Sequence, residues 1–118
     1  MPKALGEFEI LILFATIRLK NEAYGATLHR EIEGRTGRSI AIGAVYTALA
    51  RLQKNGYVTA TVGDPTPQRG GRRKKFYQIE ASGAEALKKS VQGYRQMTAG
   101  IEADLDLVFS NVGTARQP

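Results

Sequence analysis

Apolar side chains along this chain recur first at helical spacing, then in alternation, then at helical spacing again. Residues 7–20, EFEILILFATIRLK, open with two acids and close on two bases around an apolar centre, a polarity that suits a helix dipole. Periodicity alone would also allow a buried strand there; length, flanking charges and the lack of alternation predict a helix buried on more than one side. In residues 24–36, Leu28 and Ile32 lie four apart on one face of an amphipathic helix, and Gly37 stands where a left-handed residue would end it. Residues 41–55 put Val45, Leu49 and Leu52 at helical spacing while Tyr46, Thr47 and Arg51 face another way, and Asn55-Gly56 is the stop. YVTATV, residues 57–62, then alternates as a strand does. The alternation resumes over residues 76–79, after the turn chemistry of Gly63-Asp64-Pro65 and Gly70-Gly71. Three helices are thus followed by a β-hairpin.

From residue 80 onward Ser82 is placed as a helix cap, and Leu87, Val91, Tyr94, Ile101, Leu105 and Val108 recur at intervals of three, four and seven, with Thr98 as an interruption. This heptad-like seam predicts one helix of nearly thirty residues, roughly 40 Å long. A helix of that length overhangs so small a domain, and its stripe calls for another surface, most economically the same helix of a second copy. Gly93 and Gly100 each weaken it by ~1 kcal/mol relative to Ala, so either a neighbour packs closely there or the helix bends. The chain therefore divides into residues 1–79, a terminal helix over 80–112 and a frayed tail over 113–118.

Composition narrows what this unit can be. At 118 residues and 42% hydrophobic, it holds one modest core. It has no cysteine, which excludes disulfides, thiolate metal sites and a Cys nucleophile and makes a reducing compartment the default. The N-terminal residues do not read as an export signal, and the apolar run 10–15 is far short of the ~20 residues a membrane helix needs. A cytoplasmic protein without membrane attachment is expected. The net charge of +6 is uneven: residues 1–79 carry 13 Lys/Arg against 6 Asp/Glu, residues 80–118 carry 4 against 5. The basic part favours a polyanionic partner.

Helix, helix, helix, hairpin is the order of a winged helix-turn-helix domain, in which the third helix enters the major groove and the hairpin lies along the phosphates. Arg69, Arg72, Arg73, Lys74 and Lys75, five bases in seven positions, then sit on the wing, against a row of phosphates. The fold class expected is mainly α with a small β-hairpin: a winged helix-turn-helix domain plus a long C-terminal dimerisation helix.

AYGATLHREIEGRTGRSIAIGAVYTALARLQKNGYV followed by GGRRKKFYQIEASG resembles the PadR family of bacterial transcriptional regulators over about residues 5–90. The resemblance lies in the Tyr-Gly opening the second helix, the Tyr-x-x-Leu-x-x-Leu of the third, the Asn-Gly turn and the Gly-Arg-x-(Lys/Arg)-x-Tyr wing, in that order. The single terminal helix is similar to the shorter PadR branch, which dimerises through that element. The resemblance implies a homodimeric repressor on a palindromic operator, with Tyr24, Tyr46 and the wing bases on double-stranded DNA and a small aromatic effector as a potential partner.

The third helix departs from rich base readout. Ala41, Ile42, Gly43, Ala44 and Thr47 offer methyl groups and close backbone approach but almost no bidentate hydrogen bonding, so contacts to thymine methyls and selection by DNA shape are expected. Tyr46 is either a phosphate contact or core filler, and Tyr24 at a helix N-terminus poses the same choice. Arg51 lies one turn beyond Thr47, within reach of the backbone from the same face. His29, the lone histidine, has no companion ligand and is read as a surface residue rather than a metal ligand. Ser39, Ser82, Ser90 and Ser110 lack a suitable base and the acids are scattered, so no enzyme and no cofactor are expected. Phe8 and Leu11 join the terminal seam in the expected dimer interface. Tyr94, Met97 and Phe109, with Phe8 and Phe14, form either its core or an effector cavity. A module that grips an acidic protein with the hairpin is the competing reading; an RNA-binding hairpin is poorly supported because the strands lack exposed aromatics suited to stacking bases.

Overall fold

A computed structural model describes residues 4–63 and 74–108 of the chain. Helix α1 (Glu7–Leu19) leads through a short 3-10 turn (Lys20–Glu22) into α2 (Gly25–Thr36) and α3 (Ile42–Lys54). Strands β1 (Val58–Val62) and β2 (Lys75–Ile79) then form the hairpin, and α4 (Ala81–Thr98) follows. The mainly helical winged fold read from the periodicity is the one observed.

The core sits where the three helices meet the root of the hairpin. Ile12 and Leu13 of α1, Leu28 of α2, Val45, Leu49 and Leu52 of α3 and Val58 of β1 are all fully buried. The apolar centre of α1 is helical, and its burial spreads around the helix to include Glu9 and Thr16 as well as Ile10 and Ala15. Glu9 tolerates burial because it accepts the Gly6 backbone N–H at 2.8 Å, satisfying one donor of its own helix start. Gly37 ends α2 at φ 71°, with its N–H donating to Glu33 O, as the sequence predicts.

Lys20, which closes α1, is the one described non-glycine residue with positive φ, at φ 52° and ψ −116°. That region costs an L-residue ~1–2 kcal/mol. Glycine gives back part of that gain through the larger entropy of its unfolded state. Lys20→Gly is therefore expected to stabilise the fold by about 1 kcal/mol, read as a shift of the urea midpoint with an unchanged slope.

The hairpin is antiparallel, pairing Val58 with Ile79 and Val62 with Lys75, and it is tied to the helices along its second edge: the Tyr77 N–H donates to Ala23 O at 2.8 Å. This bond fixes the wing to the α1–α2 junction. The fourth helix is anchored just as firmly at its start. The Glu80 N–H donates to Tyr57 O at 2.8 Å, and Ser82 Oγ donates to Gly56 O at 2.7 Å. Ser82 is thus not the helix cap expected of it; α4 begins at Ala81, and the hydroxyl reaches across to the α3–β1 turn.

The terminal element also differs from the continuous helix that the seam predicts. It stops at Thr98, Gly100 takes φ 83°, and residues 102–108 are helical again. Of the two consequences foreseen for its glycines, Gly100 realises the bend. Leu87, expected at a dimer contact, is buried to 5% exposure in the chain's own core and has little surface left to offer a second copy. Val91, Phe8 and Leu11 pack half-buried against that core, whereas Tyr94, Met97, Ile101, Leu105 and Val108 are exposed. Residues 109–118 lie outside the described part of the chain, and with them Phe109, Ser110 and the tail. No helix among the described residues is long and apolar enough to cross a membrane.

Candidate nucleic-acid interface

Helix α3 is split lengthwise by its own sequence. Val45, Ala48, Leu49 and Leu52 are buried, so Ile42, Gly43, Tyr46, Thr47 and Arg51 are held outward, with the N-cap Ala41 and with Ala44 also exposed. Its first turn carries no acid and its N-cap makes no side-chain hydrogen bond. The outward face is bland at its start and basic at its end, where Arg51 and Lys54 lie. It suits methyl contact and close backbone approach near the N-terminus and phosphate contact near the C-terminus.

Tyr46 settles against α2 without being buried in the core. It remains 52% exposed, yet its ring lies so close to Gly25 that a β-carbon added there would stand 2.4 Å from the hydroxyl oxygen. Glycine is required at this position by the ring, and the Tyr-Gly opening of α2 acquires a physical meaning. Tyr77, from β2, is a further neighbour of this corner; burial pushes its phenol above the ordinary range, and Tyr46 adds to the rise.

Tyr24, the N-cap residue of α2, is half-buried beneath the root of the wing. Lys74 Nζ donates to its hydroxyl at 3.2 Å and stands 4.3 Å from the ring centroid, and Phe76 meets the ring edge-on with centroids 5.5 Å apart. Strand alternation carries no sign of this junction, because it joins residues fifty positions apart. Lys74 therefore holds its ammonium against an aromatic ring, while Lys75, the next residue, is exposed at the start of β2. Arg69, Arg72 and Arg73 fall outside the described residues.

One polar arrangement has no signature in the sequence. His29, expected at the surface, is half-buried and directs Nε2 to Ile40 O at 2.6 Å. A carbonyl only accepts, so this nitrogen carries the proton. Among the described residues no group of three His, Cys, Asp or Glu is placed to hold a metal ion.

The structure thus sets an outward α3 beside a hairpin whose root packs on Tyr24 at the start of α2. The sequence profile of the Transcriptional regulator PadR-like family matches residues 13–89, which include α2, α3 and the hairpin. The chain belongs to the PadR family of transcriptional regulators. Solved structures similar to this PadR-family chain include a PadR family transcription regulator from hypervirulent Clostridium difficile, 23% identical, with a TM-score of 0.69 over 85% of this chain and 99% of that one. A transcriptional regulator from Clostridium thermocellum is 26% identical, with a TM-score of 0.66 over 80% of this chain and 86% of the other. A PadR-like regulator from Bacillus cereus is 24% identical, with a TM-score of 0.65 over 83% and 90%. No curated protein sequence matches significantly. The chain thus carries the winged-helix fold of a PadR transcriptional regulator.

Proposed function

We propose that this PadR regulator is a repressor that binds a palindromic operator as a homodimer, through α3 and the wing of each copy. The observation that carries the reading is the outward face of α3: exposed, without acid in its first turn, and basic in its last. Pairing of two copies is supported by the apolar residues left uncovered beyond Val91, where Tyr94, Met97, Ile101, Leu105, Leu107 and Val108 are all at least 41% exposed. A run of that kind on a free chain in water is unfavourable, and a two-fold pair covers it on both chains at once. The same symmetry places two recognition helices on one duplex, which is why the operator is expected to be an inverted repeat.

The bland N-terminal turn of α3 limits direct base reading, so half-site spacing and DNA shape carry much of the selection. Relief by a small aromatic effector belongs to the same proposal. An apolar groove of about 400 Å³ between α1 and α2, floored by Leu11, Phe14, Ile17 and Ile32, is its candidate seat.

Salt tests the proposal directly. Each phosphate contact contributes about 0.9 to the slope of log affinity against log salt. In a dimer, Lys75→Ala removes two cations, so the slope is expected to flatten by about two units, with affinity lowered alike on every duplex. Duplexes selected by the protein from a random pool should carry an inverted repeat. Binding that ignores salt, or retention of an acidic protein but of no duplex, would overturn the reading.

A further inference from the structure

The turn between α2 and α3 has its last free residue held from both sides. Ile40 donates its N–H to Glu33 Oε2 at 2.9 Å and receives His29 Nε2–H on its carbonyl at 2.6 Å. His29 and Glu33 are one turn apart on α2, on the same face, and their polar atoms lie 3.5 Å from each other. Two side chains of one helix thus engage both backbone polar groups of one loop residue, whose own side chain packs against the core. Arg38, two positions earlier, is tethered to Glu7 of α1 at 2.7 Å, but both partners are largely exposed and screened.

Ile40 immediately precedes Ala41, the N-cap of α3, and Ala41 has no side chain able to cap. The start of the helix is accordingly not fixed by a Ser, Thr, Asp or Asn of its own, as helix starts commonly are. The grip on Ile40 supplies from α2 the constraint that α3 lacks locally. Losing it would leave a part-buried donor and acceptor unpaired and would free the backbone just ahead of the first turn.

We infer that His29 and Glu33 are positioning residues for DNA recognition, clamping Ile40 by both backbone groups so that α3 leaves the turn at a fixed angle. The inference rests on the reading of α3 as the recognition helix. It concerns groups that touch no DNA themselves.

The test uses the full chain, a duplex selected by the wild-type protein from a random pool, and four variants. His29→Leu is expected to bind that duplex about ten-fold more weakly. His29→Gln, whose amide nitrogen can reach the same carbonyl, is expected to restore most of the loss, and Glu33→Leu to reproduce it. Ile12→Val, a core truncation with a comparable loss of melting temperature, is expected to leave affinity unchanged. Amide exchange without DNA gives a second readout: Ile40 and Ala44, whose N–H makes the first hydrogen bond of α3 to Ala41 O, should exchange faster in His29→Leu but not in His29→Gln. Wild-type affinity in His29→Leu, equal losses in the Leu and Gln variants, or an equal loss in Ile12→Val would each overturn the inference. If the wild-type protein selects no duplex, the functional reading fails on its own account. Exchange then decides the clamp, and unchanged Ala44 exchange in His29→Leu overturns it.

Discussion

Gly83→Ala is expected to destabilise the protein by about 3 kcal/mol, at the upper end of what overpacking usually costs. A β-carbon at this position would stand 2.2 Å from Tyr57 O, 3.0 Å from its carbonyl carbon and 3.1 Å from Ile79 Cγ1. Two of these neighbours are backbone, so no side chain can rotate aside to make room. The relief available is to lift the first turn of α4 off the hairpin. That stretches the Glu80 and Ser82 hydrogen bonds to the Gly56–Tyr57 turn and withdraws Leu87 from the core. In a chain of this size the loss corresponds to a fall of about 12 °C in melting temperature. Gly93→Ala, ten residues further along the same helix, has open space around it, and in a single chain it should instead stabilise by ~1 kcal/mol. Opposite signs at two glycines of one helix are the signature to look for in thermal melts at low protein concentration. A Gly83 variant that melts with the wild type would mean that α4 does not pack against Tyr57 and Ile79 as closely as described. A Gly93 variant that loses stability only at high concentration would place a second copy against that position.

The contrast between these two glycines marks what periodicity can express. Both are small residues in a helical stretch, and spacing alone separates neither from the other. The three-helix unit was legible because its apolar residues sit on faces that a 3.6-residue period defines, and Leu28 with Ile32, or Val45 with Leu49 and Leu52, are buried as that period requires. The same arithmetic failed at the terminal element. Intervals of three, four and seven continue through residues 87–108 whether or not the backbone turns at Gly100, and they do not say which body covers a given position. Leu87 and Tyr94 lie on one stripe, yet the chain's own core takes the first and leaves the second 58% exposed. Ser82 misled for a related reason: Ser-Gly-Ala-Glu has the form of a capping box, but a carbonyl 26 residues away competes for the hydroxyl and holds it. At the site, the outward residues of α3 could be found by subtracting the buried ones. The contacts around them, Tyr46 on Gly25, Lys74 on Tyr24 and His29 on Ile40, each join separate elements and have no periodic trace.

Gly25→Ala is expected to weaken operator binding about thirty-fold while changing stability little, the loss typical of removing an aromatic anchor. The added β-carbon would meet Tyr46 at its hydroxyl oxygen, Cζ and Cε1, at 2.4, 2.5 and 2.6 Å. Unlike the crossing at Gly83, the obstacle here is the far end of a side chain that is half exposed, so the ring can swing out into solvent. Alanine also favours a helix more than glycine does, which offsets part of the strain. What the swing removes is the placement of the phenol beside the N-terminus of α2. A double-mutant cycle separates this route from a general disturbance of the fold. If Gly25 acts only by seating the ring, Gly25→Ala should have almost no further effect in a Tyr46→Ala background. Tyr46→Phe then divides the ring from the hydroxyl: a phosphate contact through the hydroxyl predicts a loss close to that of Tyr46→Ala, whereas a ring that serves only as packing predicts none. Full operator affinity in Gly25→Ala would remove Tyr46 from the DNA-binding surface altogether. It would leave recognition to the methyl-lined start of α3 and the cations of the wing.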